Sequence, residues 1–191
     1  MSKLRMSLLL LLAVGLTVVS AVAISAKSAG GKPTFAIRKA EKQVVLYTIY
    51  RGSYDKAGAA IGKLFALAGP KGITPQGPIS FVYLNNPQYV SPQHWLTEIR
   101  IPVDKETLKH AGTLGEMTDV KALPAVEVAV AVKPEGQADP SPIYERLYTW
   151  IYKTGYVHIE DPKERFLTGA STGDYARMKS EIMVPVMKVS E

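Results

Sequence analysis

Three glutamates and three aromatic residues stand where strand alternation could gather them: Glu98, Glu164 and Glu181 with Phe81, Tyr83 and Phe166. Carboxylates among aromatic rings suit an apolar or cationic organic ligand, because ring faces attract a cation and a carboxylate pairs with it. Taken singly, each has a plainer explanation. Water-facing strand positions normally carry Glu, and Tyr and Phe are good strand residues. What sets these six apart is that they fall in a repeated unit.

Other chemistries find little support. His94, His110 and His158 lack metal-ligand spacing, and the absence of cysteine removes disulfides, thiolate catalysis and Cys-based metal sites. There is no Ser-His-Asp order, nucleotide-binding glycine motif or phosphate loop; Gly72 to Gly77 surround Pro75 as a turn would. No cofactor and no metal are expected. Lys plus Arg number 23 against 17 Asp plus Glu, and three of the basic residues (Lys3, Arg5, Lys27) fall in the acid-free first 29 residues. The remaining excess is too mild for a nucleic-acid partner, which calls for a dense basic stripe.

The repeat appears when the chain is compared with itself at an offset of 83 residues. Thr97-Glu98-Ile99-Arg100-Ile101-Pro102-Val103 is answered by Ser180-Glu181-Ile182-Met183-Val184-Pro185-Val186, and Leu64, Gly72 and Leu84 by Leu147, Gly155 and Leu167. From Lys63 to Val103, seven of 41 paired positions are identical, against roughly two or three expected from average residue usage. An ungapped register of this kind points to duplication.

Each copy, about 43–103 and 126–186, has the same order: strand, helix, strand, strand. Gln43 to Tyr50 and Val126 to Val132 form the first strands, the second with valines at every other position. One helix follows Ser53 as cap, with Ile61, Leu64, Phe65 and Ala68 as its apolar stripe. The other follows Ser141 and Pro142, with Ile143, Leu147, Trp150 and Ile151. The expected fold is α+β: a mostly antiparallel sheet with both helices on one face and a ligand cleft on the other. If Ile99, Ile101, Ile182 and Val184 face the helices, then Glu98, Arg100, Glu181 and Met183 face away. By the same rule Val82, Leu84 and Leu167 are expected inward, and Phe81, Tyr83, Glu164 and Phe166 outward with the other two glutamates. Trp150 and Tyr152, and Tyr50 and Tyr54, stand where they could extend the rim, although Trp150 also lies on an apolar stripe.

The N-terminus is a separate matter. Lys3 and Arg5 precede an uncharged run from Ser7 to Ile24, expected to be a signal peptide or membrane anchor within residues 1–27. A linker over 28–41 and a domain over 42–191 complete the expected organisation, with the domain outside the cytoplasm. Residues 104–121 are expected to be a solvated connection between the copies.

The segments Tyr50-Arg51-Gly52-Ser53-Tyr54, Leu64-Phe65, Gly72 to Pro78, Asn85-Asn86-Pro87 and Glu98 to Val103 resemble the first half of the GyrI-like small-molecule-binding domain. Trp150-Ile151, Gly155-Tyr156, Glu164-Arg165-Phe166-Leu167 and Glu181 to Val186 resemble its second half. Their order and spacing, over about Val44 to Val186, carry the resemblance. It implies a cleft for hydrophobic, often cationic compounds, as in the effector-binding domain of multidrug-sensing regulators, with the acidic ligand contact at Glu164. Some members are hydrolases of strained-ring compounds that use a tryptophan and a glutamate, for which Trp150 and Glu164 are the nearest matches. This chain departs from the regulators in having no helix-turn-helix, and Pro134-Glu135-Gly136 is a poor echo of the Tyr50 to Tyr54 turn. The expectation is a membrane-associated or exported protein that senses or sequesters a lipophilic molecule, cationic or neutral. The alternatives are a hydrolase acting through Glu164 and a membrane-anchored module whose groove takes a peptide.

Overall fold

The β-branched residues of Gln43–Arg51 and Val126–Lys133 favour extended backbone, and each stretch forms a long strand in the computed structural model. The structure describes residues 34–167 and 174–189. The apolar N-terminal run and the first part of the expected linker lie outside them. Among the described residues, no helix is long and apolar enough to cross a membrane.

The described chain runs β1 (Phe35–Ala40), β2 (Gln43–Arg51), α1 (Ala57–Ala68), β3 (Ser80–Tyr83), β4 (Leu96–Val103), β5 (Thr118–Leu123), β6 (Val126–Lys133), α2 (Ser141–Lys153), β7 (Tyr156–His158), β8 (Lys163–Phe166) and β9 (Ser180–Lys188). All strand pairs are antiparallel, in the order β1-β6-β9-β8-β3-β4-β2-β5, with β7 on the far end of β9. The fold is α+β, with both helices on one face of the sheet.

The 83-residue offset maps β2 onto β6, β3 onto β8 and β4 onto β9. It also maps β1 onto β5, 35–40 onto 118–123. The repeated unit therefore has one strand more than expected, and residues assigned to the linker and to the connection between copies belong to the sheet. Short edge strands bearing Arg38, Lys39 and Lys121 lack the apolar alternation that marks a half-buried strand, and so look like solvated loop.

These edge strands are exchanged between the halves. β1 of the first unit pairs with β6 of the second, and β5 of the second with β2 of the first. In both ladders the paired residue numbers add to 166, for example 35 with 131 and 43 with 123. β1–β2 and β5–β6 are thus one bent ribbon, interrupted at Glu41-Lys42 and Pro124-Ala125, where Pro124 has no N–H to give a ladder. The gap from Ala40 to Gln43 spans at most about 11 Å, so the sheet curls until its two ends approach at the bend.

The helix stripes form the core. Ala57, Ile61, Leu64 and Ala68 of α1 pack with Leu46, Ile99 and Ile101, while Phe65, expected in the stripe, is 40% exposed. Ile143, Leu147 and Ile151 of α2 pack with Ala129, Ala131, Ile182 and Val184. The alternating valines face the other way: Val128 and Val130 pack with Met183 on the side of the sheet away from the helices. Neither expected serine caps its helix. The Ser53 hydroxyl donates to Asp55, and it is Asp139 that accepts from the Ser141 backbone N–H at 2.9 Å. Gly72 and Gly155, an identical pair in the repeat, share the left-handed conformation after each helix at φ of 68° and 77°.

Phe35 and Ile37 of β1 join the second core cluster, with the Phe35 ring 5.8 Å from that of Trp150. A chain shortened to begin at residue 41 loses this strand, whereas one beginning at residue 34 keeps it. The shorter chain is expected to be less stable by about 3–5 kcal/mol, a drop of roughly 10 °C in thermal midpoint by circular dichroism. Equal midpoints would contradict a structural role for β1.

Candidate functional site

In an antiparallel ladder, directly opposed residues share a face. β3 places Phe81 opposite Ile99 on one side and Glu164 on the other, and Glu164 is in turn opposite Ile182. Since Ile99 and Ile182 face the helices, so do Phe81 and Glu164, and with them Tyr83 and Phe166. This corrects the expected orientation of β3 and β8. Ser80-Phe81-Val82-Tyr83-Leu84 is apolar at nearly every position, so alternation does not choose its inward face; pairing does. Val82 is buried on the opposite face, and Leu167 is 42% exposed.

Glu98 and Glu181 do face away, and the sheet therefore separates them from Glu164. Glu98 pairs with Arg100 at 2.5 Å and Lys121 at 2.7 Å; Glu181 pairs with Arg38 at 2.9 Å and with Arg165. Lys121 and Arg38 are themselves related by the repeat offset. Burial raises the Glu181 carboxyl, but Arg165 and Arg38 outweigh it and hold the group below its ordinary value. These two carboxylates tie the edge strands to the sheet.

The cleft lies on the helix face, between the start of α1, the first turns of α2, the centre of the sheet, and the loops after β3 and before β8. Its volume is about 1560 Å³, and its lining includes Tyr54, Phe81, Tyr83, Trp95, Lys133, Tyr144, Tyr148, Glu164 and Phe166. Tyr54 stacks on Trp95 at 4.4 Å and lies 5.2 Å from the Tyr83 ring. Phe81, Phe166 and Tyr175 form a three-ring cluster, with centroids 4.8 to 5.1 Å apart.

Glu164 is the floor, only 4% exposed. Tyr83 donates its hydroxyl to Oε2 at 2.7 Å, the Ser180 hydroxyl donates to Oε1, and Lys133 Nζ stands 3.3 Å from Oε1. Lys133 is 1% exposed and also donates to the carbonyls of Ala176 and Met178, at 2.7 and 2.8 Å. The phenols around this carboxylate stay protonated. Burial first, and the Glu164 charge second, push Tyr54 up to about 12 and hold Tyr83 and Tyr144 well above the usual range. The hydroxyls of Tyr54 and Tyr144 are buried with no protein partner.

Of the residues singled out from sequence, the structure brings Glu164, Phe81, Tyr83, Phe166 and Tyr54 to the cleft. Glu98 and Glu181 are on the other face, and Trp150 packs on Phe35 instead of lining the cleft. Sequence reasoning missed Lys133, Trp95, Tyr144 and Tyr148. The two tyrosines are spaced i, i+4 beside the α2 core stripe, a legible sign that they share a second face of that helix. Lys133 was hidden because the alternating valines before it do not say which side of β6 meets α2, and it is the odd-numbered side, with Ala129 and Ala131, that does.

No family model matches the sequence, and neither does any curated protein. The fold is shared with solved structures. The EcmrR C-terminal domain superposes with a TM-score of 0.62 at 16% identity, over 82% of this chain and 99% of that one. EcmrR in its complex with DNA gives 0.67 at 16% identity over 82% of this chain, which spans 58% of the EcmrR chain's length. A hydrolase from Listeria innocua gives 0.58 at 11% identity, covering 80% of this chain and 91% of that one. At these identities the likeness is one of architecture, and it agrees with the GyrI-like fold that the sequence resembles.

Two predictions follow from the charged groups. Lys133→Met leaves Glu164 buried without its counter-charge and is expected to cost about 3–5 kcal/mol in urea unfolding; Lys133→Met with Glu164→Gln should recover a large part. A double variant no more stable than the single one would contradict the pairing. For Glu181, a depressed folded pKa means that its stabilisation is present above the unfolded value near 4.5 and is lost as pH falls through the folded one. Glu181→Gln should therefore flatten the loss of urea midpoint below that value, by on the order of 1 kcal/mol after solvent screening. An unchanged acid profile would remove the ion pairs from the stability account.

Proposed function

We propose that this domain is a binding protein that senses or sequesters a lipophilic small molecule in the cleft between its two halves. The apolar N-terminal run, in this reading, attaches it to a membrane or directs its export. One observation carries the reading: a buried carboxylate at the floor of a cleft of about 1560 Å³ whose walls are aromatic. Rings supply apolar area at little entropic cost and accept cations on their faces. The architecture shared with the EcmrR C-terminal domain supports the same reading.

Hydrolysis through Glu164 fits less well. A general base needs a carboxylate free to take a proton from water, and both oxygens of Glu164 already face protein donors. Trp150, the expected partner in such chemistry, points into the second core cluster.

The chain has two tryptophans, and only Trp95 lines the cleft. Titrating the full-length protein with a panel of lipophilic compounds, charged and neutral, should change its tryptophan emission. The change should persist in Trp150→Phe and vanish in Trp95→Phe. A silent response across the panel, or one that follows Trp150, would rule out this site.

A further inference from the structure

The cleft has two electrostatic zones, and they differ in what they offer a cation. At the floor, Glu164 is already neutralised by Lys133, 3.3 Å from Oε1 and itself buried. A ligand cation placed there would meet a carboxylate and an ammonium together, so attraction and repulsion largely cancel while the cation still gives up its hydration. The other basic groups that line it are Arg100, drawn toward the opposite face by its pairing with Glu98, and the exposed His158, whose Nδ1 meets the Tyr152 hydroxyl at 2.8 Å.

The mouth is different. Asp55, Asp139, Glu145, Glu160 and Asp161 all line the cleft and are all exposed, which puts them at its rim. None is in an ion pair among the described residues. The Ser53 hydroxyl holds Asp55 below the usual carboxylate value, and the Ser141 backbone N–H does the same for Asp139. Five carboxylates outside any ion pair surround one opening in a chain whose net charge is +6, and only Asp55 and Glu160 feel a neighbouring lysine, Lys56 and Lys163 respectively. A low-dielectric cleft beneath such a rim concentrates the field on whatever enters.

A second feature, independent of the rim, points to a ligand inside. The Tyr144 hydroxyl, on the α2 wall of the cleft, is buried with no protein partner, as is that of Tyr54. Buried hydroxyls of this kind are normally satisfied, and both are donors that an oxygen in a ligand's body would engage on a small movement of the rings.

We propose that the cleft takes a cationic amphiphile head outward, with its ammonium group among Asp55, Asp139, Glu145, Glu160 and Asp161 and its lipophilic body directed toward Tyr83 and Phe81. The inference rests on the binding role above and deepens it: the charge is recognised at the mouth, not at Glu164. The GyrI-like resemblance implies the charge at Glu164, and Lys133, 3.3 Å from that carboxylate, is the reason for placing it at the mouth instead.

The test uses the full-length protein and two probes of equal shape, (4-phenoxybutyl)trimethylammonium and the uncharged isostere in which tert-butyl replaces trimethylammonium. Tryptophan emission at about 20 mM salt should show the ammonium probe binding about tenfold tighter, with most of that advantage lost near 500 mM, where charges are screened. A variant carrying Asp55→Asn, Asp139→Asn, Glu145→Gln, Glu160→Gln and Asp161→Asn should lose the advantage while binding the neutral probe within about twofold of the parent. Unchanged neutral binding also reports that the variant is folded. If the five-fold variant keeps its preference for the ammonium, or if Glu164→Gln alone removes it, the head-outward orientation is wrong and the cleft as a binding site stands. If neither probe binds the parent protein, both the binding role and this inference fall.

Discussion

The pairing of β3 with β8 is the contact on which the rest of the molecule is arranged. Its paired residue numbers add to 245, with 80 opposite 165 and 81 opposite 164. An offset of 83 and a sum of 245 together require a twofold relation centred between residues 81 and 164. The bent ribbon obeys the same relation, its sum of 166 placing the centre at the bends 41–42 and 124–125. One axis thus passes through the middle of the sheet and through the ribbon that joins its ends. The isolated bridge between Pro75 and Val103 completes the correspondence, since it is the counterpart of the His158 to Val186 pair in β7.

Symmetry of backbone leaves the side chains free to differ, and the cleft is made where they do. At the axis the first copy has Phe81 and the second has Glu164, equivalent positions placed face to face. Tyr144 and Tyr148 of α2 stand where α1 has Ile61 and Phe65. The second half therefore supplies most of the polar groups, and the first supplies Tyr54, Phe81, Tyr83 and Trp95. A charged group at such a centre requires compensation, because an isolated carboxylate in a dry interior is prohibitively costly. Lys133 provides it, and by donating to the carbonyls of Ala176 and Met178 it also fixes the chain leading into β9.

The opposite face shows what the same residue type does in a different setting. Glu98 and Glu181 are symmetry mates, each nearly buried and each held by two basic side chains. Their partners come from the exchanged strands, Lys121 from β5 and Arg38 from β1, so the ion pairs lock each edge strand to a half of the sheet it does not follow in sequence. Three glutamates at repeat-related or adjacent positions thus divide into one cleft residue and two fasteners.

The duplication, the helix stripes and the α+β class were legible in the amino-acid sequence, because periodicity and self-similarity are local properties that a linear chain displays directly. So was the outward direction of Glu98 and Glu181, since Ile99 and Ile101 alternate with Glu98 and Arg100, and Ile182 and Val184 stand at the equivalent positions of the repeat. The face taken by Glu164, Phe81, Tyr83 and Phe166 was not. β3 is apolar on both sides, and a shift of one residue in the pairing of two strands turns every side chain over. The exchange of β1 and β5, and the meeting of Lys133 with Glu164 across 31 positions of chain, likewise depend on which strand lies beside which. Local composition does not carry that information; the long-range hydrogen bonds of the sheet decide it.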